Sequence, residues 1–229
     1  MEETLRKDIR EIYTLNGLSD DVIGLFRDGI YAYYREFGRV LPWRETGDPY
    51  RIVVSEIMLQ QTQVDRVVPK FLEFLERFPS WEALAGASLE EVLSAWQGLG
   101  YNRRGRFLRE MARVVVDQYG GVLPSDEDLL VKLPGIGKAT AASIRAFAFN
   151  LPSVYIETNV RTVFFYFFFM DGMDKALTPV SDQVLTPLVE APLERENPSE
   201  WYNAILDYGT MLNKRYGNLS VRSAHYRRQ

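Results

Sequence analysis

Apolar side chains recur along this chain at three- and four-residue intervals. Val67, Phe71, Phe74, Leu75 and Phe78 fall on one helical face, and Leu108, Met111, Val115 and Val116 on another. Helix-start signals punctuate these stretches. Ser19 precedes Asp20 and Asp21, Ser80 precedes Trp81 and Glu82, and Ser88 with Glu91 matches the reciprocal S-x-x-E cap. Ser125 precedes Asp126, Glu127 and Asp128, and Ser199 follows Pro198. Each serine offers an oxygen to the free amides of a first helical turn, where acids also suit the dipole. Hairpin signals between alternating strands are nearly absent. The pattern predicts a mainly α protein of short helices, without repeats or low-complexity segments.

The stretch PSVYIETNVRTVFFYFFF (residues 152–169) departs from this pattern. Its β-branched and aromatic residues read as a strand by propensity alone. A lone strand among helices has nothing to pair with, so a buried helix is the better expectation. Glu157 interrupts the apolar run. Taken by itself the fragment suggests a solvated turn or helix start, because a buried ionised carboxylate is costly unless paired or used.

Composition narrows the function classes. The chain has 229 residues, 46% of them hydrophobic, which suits one or two globular domains. A net charge of −4 provides no global basic field, so any nucleic-acid argument must rest on local patches. Residues 214–229 form one, with Lys214, Arg215, Arg222, Arg227 and Arg228. The absence of cysteine excludes disulfides, thiolate zinc sites and cysteine-ligated iron–sulfur clusters, and a single histidine, His225, excludes a multi-histidine metal site. The acidic opening is unlike a secretory signal, and no window reaches the roughly 18 apolar residues of a membrane span. A cytoplasmic protein with no membrane partner is expected.

Three motifs carry chemistry. In LPGIGKATAASI (residues 133–144), Gly135 and Gly137 permit a tight hairpin between helices. Amides there and at the next helix start can hold a phosphate, with Lys138 adding charge. The alternative is a plain helix–helix turn. In SEIMLQQTQV (55–64), Glu56 lies among apolar residues and Gln60, Gln61 and Gln63 crowd behind it. Such amides suit base edges or the gap left by an extruded base; a solvent-facing helix end is the competing reading. In WQGLGYNRRGRFL (96–108), Tyr101 precedes Arg103, Arg104 and Arg106. That combination suits base stacking with phosphate neutralisation, or simply a solvated helix face.

The order and spacing of LPWRETGDPYRIVVSEIMLQQTQV, WQGLGYNRRGRFL and LPGIGKATA closely resemble adenine DNA glycosylases of the MutY type. These belong to the helix-hairpin-helix glycosylase superfamily that includes endonuclease III. The resemblance runs from about residue 40 to 163. It implies an all-α, two-domain fold with DNA across the cleft and a flipped nucleotide in a pocket at the domain junction. A six-helix barrel domain would span 41–151, and residues 1–40 with 152–229 would form a second helical domain. Glu56 matches the acid that protonates the base. Glu157 falls where the family has an essential Asp, which favours the helical reading of the aromatic run. Gln60, Gln61 and Tyr101 match residues that wedge into the duplex, Trp43 and Arg44 the pocket edge, and Asn203 a pocket-facing Gln. Arg103, Arg104, Gly135, Gly137, Lys138 and Thr140 would contact DNA, with a monovalent cation at the hairpin. The partner would be duplex DNA carrying a mismatch or lesion, bound by a monomer.

Two carboxylates fit the reaction. Breaking an N-glycosidic bond builds positive charge on the sugar and negative charge on the leaving base, so one acid delivers a proton while the other stays ionised. Apolar neighbours favour the protonated form of Glu56. Four departures qualify the resemblance. Glu157 is one methylene longer than Asp. Ala139 stands where bifunctional members carry a lysine, which implies a monofunctional enzyme. The cluster cysteines are missing, with Asn213 at the first of them, so no cofactor is required. The MutY domain that reads oxidised guanine is absent from the sequence. Adenine opposite guanine or oxoguanine is the first substrate expected. A mismatch thymine or uracil glycosylase is the alternative, and a non-catalytic binder of damaged DNA a third.

Overall fold

The computed structural model describes residues 2–170 and 180–222. These form helices α1 (Glu2–Asn16), α2 (Asp20–Phe37), α3 (Pro49–Leu59), α4 (Val64–Arg77), α5 (Trp81–Gly86) and α6 (Leu89–Ala95). Then follow α7 (Arg103–Tyr119), α8 (Glu127–Leu130), α9 (Lys138–Phe149), α10 (Thr158–Phe169), α11 (Asp182–Glu190), α12 (Pro198–Tyr216) and a closing 3₁₀ turn, Leu219–Arg222. No β-strand forms among the described residues. Residues 223–229 of the basic tail, including His225, Arg227 and Arg228, lie outside the described residues.

The capping signals act largely as read. Ser19 accepts from the Val22 amide (3.4 Å), and Ser80 from that of Ala83 (3.3 Å). Ser88 and Glu91 form the reciprocal cap, at 3.2 and 2.8 Å. Two starts differ by one or two residues. Asp126, not Ser125, caps α8, and Asn197, not Ser199, caps α12. In α12 the cause is Pro198, whose fixed φ and missing N–H suit the first helical position, so the preceding residue becomes the cap.

The chain divides into two compact units, Val40–Asn150 and Met1–Arg39 with Leu151–Gln229. In Val40–Asn150, one apolar core links α3 to α9. Val67, Phe71 and Phe74 of α4 are buried, Phe74 meeting the fully buried Trp96 edge-on and Phe71 meeting Trp43. Trp96 donates its indole N–H to the Gly100 carbonyl (3.1 Å). Gly105 of α7 lies against the indole, where a Cβ would come within 2.9 Å.

The other unit is built on α10. Every residue from Val160 to Phe168 is buried, so the helix is enclosed on all sides and its composition follows from that enclosure rather than from strand pairing. Tertiary burial overrides the β-propensity of the run. Phe26 of α2 anchors it, with ring centroids 5.2 Å from Phe164, 5.1 Å from Phe167 and 6.0 Å from Trp201 of α12. Two buried charges are paired. Arg161 forms a two-pronged ion pair with Asp182. Asp207 accepts from the backbone amide and Nε of Arg39, at 2.7 and 2.6 Å. Phe26→Ala removes the ring shared by these contacts and is expected to lower unfolding stability by about 3–5 kcal/mol. A denaturant titration with an unchanged midpoint would show that the cluster contributes nothing.

Candidate active site

Glu157 is the N-cap of α10. Its Oε1 accepts from the amides of Asn159 (2.6 Å) and Val160 (3.2 Å). A glutamate is long for this position, and its backbone is extended, so the side chain folds back over its own first turn. The residue as a whole keeps some exposed surface, but the carboxyl itself is enclosed, and the carboxyl's desolvation decides its proton affinity. Burial raises its pKa above the ordinary carboxylate value, and the capping amides and Asn159 side chain pull it back only in part.

Glu56 lies on α3, three residues from its C-terminal end. It is half-buried, between the fully buried Ser55 and Ile57 and one turn after Ile52 and Val53. Beyond it the chain turns sharply at Gln61, whose φ is 54°, and a second turn brings Tyr101 to φ 48°. Non-glycine residues seldom adopt this left-handed backbone, and such outliers gather at functional sites. Both side chains are exposed.

Arg104 differs from what the sequence suggested. Its guanidinium does not stand free beside Arg103. Nη1 donates to the carbonyls of Ile57 (2.9 Å), Met58 (3.0 Å) and Gln60, the free acceptors at the end of α3. Nη2 donates to Thr62 Oγ1 and to the Leu99 and Gly100 carbonyls, at 3.0, 3.0 and 3.2 Å. One cation therefore stitches together the two strained turns and also lies over the Tyr101 ring. Its fork geometry and its charge at a helix C-terminus both favour this role. Gln60 also turns inward, with Nε2 3.4 Å from Thr140 Oγ1.

The hairpin follows from local geometry. Gly135 has φ +79°, and a Cβ there would lie 2.9 Å from that of Phe107 on α7. Gly137 is different: it caps α9 in ordinary extended backbone, with nothing within 4 Å of an added Cβ. No side chain caps α9, whose first residue is the exposed Lys138. Arg103 and Arg106 lie over the Phe107 ring, at 5.8 and 5.1 Å, which brings the exposed arginines of α7 to the same surface as the hairpin.

Of the pocket candidates, Trp43 is a core residue against Phe71, whereas Arg44 and Asn203 are half-buried. Sequence reasoning missed Phe107, which links hairpin and arginines, and the residues of α12 that pack against the start of α10. Only a glycine inside α12, Gly209, hinted at the latter. Among the described residues no group of three or more His, Asp or Glu side chains is placed to hold a metal, and no helix is long and apolar enough to cross a membrane.

An all-α helix-hairpin-helix fold defines a class, and comparison with known proteins agrees. Residues 54–182 match the family described as HhH-GPD superfamily base excision DNA repair protein. The chain belongs to this superfamily. It is 33% identical over 189 residues to the adenine DNA glycosylase of Buchnera aphidicola subsp. Baizongia pistaciae, covering 82% of this chain and 53% of that one. It is 34% identical to the thymine/uracil-DNA glycosylase of Pyrobaculum aerophilum, covering 80% of each. The chain thus spans about half the length of the curated adenine DNA glycosylases it matches. A solved thermostable thymine-DNA glycosylase superposes with a TM-score of 0.71 at 24% identity, over 82% of this chain and 86% of that chain.

Two outcomes test this geometry. Because folding raises the pKa of Glu157, the folded state holds that proton more tightly than the unfolded chain. The ionised carboxyl therefore opposes folding above the unfolded value, and the penalty disappears below it. Glu157→Gln, which keeps the accepting oxygen, should raise the thermal midpoint at pH 8, with the gain shrinking as pH falls towards 4.5. A lower midpoint at pH 8 would contradict the raised pKa. Arg104→Ala should lower stability by about 3 kcal/mol or more, since it strands several carbonyls, and Arg104→Lys should restore only part of that. Full recovery with lysine in a denaturant titration would show that charge alone matters.

Proposed function

We propose that this protein is a monofunctional DNA N-glycosylase of base excision repair, acting on adenine opposite guanine or oxoguanine. The observation that carries the reading is Glu157, an enclosed carboxylate held by the amides of α10; by resemblance it falls where the family has an essential Asp. Glu56 donates its proton to N7 of the adenine. The C1′–N9 bond then breaks and its electron pair leaves with the base. The Glu157 carboxylate faces the resulting oxocarbenium ion. Water adds at C1′ and passes a proton back to the Glu56 carboxylate, directly or through solvent, leaving an abasic sugar.

Gln61 and Tyr101, exposed on their strained turns, fill the duplex where the nucleotide leaves it. The hairpin amides, Gly137, Lys138, Arg103 and Arg106 hold the phosphates, and Arg104 and Gln60 act inside the protein to position those turns. A monovalent cation suits the hairpin, where backbone carbonyls rather than carboxylates are at hand. Ala139 has no amine for a Schiff base, and Lys138 precedes it at the first position of α9. The Pyrobaculum aerophilum relative, matched over 80% of its length, favours thymine or uracil as the excised base in the second reading.

Duplexes carrying A·G, A·oxoguanine, T·G and U·G, incubated with the protein and then treated with alkali, separate these readings. Strand scission is expected only after alkali, on A·oxoguanine and A·G. Scission confined to T·G and U·G would transfer the assignment to the second reading. Scission without alkali would remove the monofunctional claim, and binding without any scission would remove catalysis. Glu56→Gln should reduce base release at least about hundredfold while leaving DNA binding intact.

A further inference from the structure

Four polar side chains of the unit Met1–Arg39 with Leu151–Gln229 form a hydrogen-bond chain that ends on Glu157. The Thr162 hydroxyl donates to Asn213 Oδ1 (3.0 Å). Asn213 Nδ2 donates to Asn159 Oδ1 (2.9 Å). The Asn159 side chain in turn hydrogen-bonds the Glu157 carboxyl. Each link donates towards the carboxylate, so each polarises the next.

Two neighbours on α12 serve the same end. Gly209 sits inside the helix, where glycine is a poor helix former. Its hydrogen lets α12 close on the start of α10: a Cβ there would lie 2.6 Å from the Asn159 carbonyl oxygen and 2.7 Å from the Asn159 Cβ. Tyr202 donates its hydroxyl to the Ser153 carbonyl (2.8 Å) and accepts from the Tyr155 amide (2.9 Å). It thereby fixes the extended segment that delivers Glu157. Positions 202, 209 and 213 are separated by seven and four residues and so share one helical face.

We propose that Asn213 is a positioning residue for Glu157, acting through Asn159. The proposal rests on the glycosylase reading above and goes beyond it. By resemblance, Asn213 occupies the place of the first cluster cysteine. In this chain that point of α12 instead reaches Asn159, whose side chain hydrogen-bonds the Glu157 carboxyl. A donor chain running into Glu157 favours its anion, the form the oxocarbenium ion needs, and holds the carboxyl in one orientation. An asparagine that merely packed α12 against α10 would stabilise the fold without influencing that ionisation.

The test is the pH profile of single-turnover base release, on the duplex the wild-type protein cleaves. Asn213→Leu, similar in shape but without the amide, should slow release at least about tenfold at neutral pH, short of the roughly hundredfold cost of a 1 Å misplacement. Its acidic limb should move to higher pH, with DNA affinity unchanged. Thr162→Val should shift the limb the same way by less, and Thr162→Ser should restore the wild-type profile. A wild-type rate for Asn213→Leu, or a loss equal at every pH, overturns the proposal. A ¹³C-carboxyl NMR titration of Glu157 reads the same chain without substrate. Its midpoint should rise in Asn213→Leu, and in Thr162→Val should the first variant not fold; an unmoved midpoint overturns the proposal. If the wild-type protein releases no base from any duplex and the midpoint still rises, the glycosylase reading fails and the positioning role stands.

Discussion

The amides at the start of α10 need an acceptor, and a helix buried from Val160 to Phe168 has little water nearby to provide one. Glu157 fills that need with Oε1. An N-cap is worth about 0.5–2 kcal/mol to a helix, a modest return for enclosing a carboxylate. The raised pKa shows that desolvation exceeds what the amides give back. A serine or threonine would cap α10 without enclosing a charge. Under the proposed function, that cost is set against the role of an oriented anion facing the sugar.

The unit Val40–Asn150 shows the complementary arrangement, in which strain is held in place by a cation. Left-handed backbone at Gln61 and Tyr101 costs about 1–3 kcal/mol each. Arg104 offsets it by donating to carbonyls on both turns and to Thr62. The three-residue spacing from Tyr101 to Arg104 places the guanidinium beneath the turn that it secures. Exposed side chains on a rigid, strained backbone are suited to entering a duplex, because their ordering is complete before binding.

In a chain without cysteine, no thiolate cluster can secure the end of α12. Ring packing around Phe26 and the amide of Asn213 join α12, α10 and α2 instead. The chain matches adenine glycosylases over about half of their length and a thymine/uracil glycosylase over most of its length. The base acted on is a question of pocket contacts rather than of fold.

Helical periodicity, serine caps and the L-P-G-I-G hairpin are local properties, and the sequence by itself determined them: an all-α chain with its hairpin at Gly135 and Gly137. The order of three motifs was enough to make Glu56 and Glu157 the candidate acids. Other features depended on partners far along the chain and had no local signature. Propensity alone reads residues 154–169 as a strand, and although a buried helix was the better expectation, it is enclosure by α2 and α12 that holds residues 158–169 as α10. Arg104 reads as a phosphate ligand beside Arg103, yet carbonyls more than 40 residues away take up its guanidinium. The reach of Asn213 to Asn159 spans 54 positions and is visible only once α10 and α12 are packed. Tertiary structure decided these because a hydrogen-bond donor is committed by whichever acceptors folding brings within 3 Å, and sequence spacing says nothing of acceptors so distant.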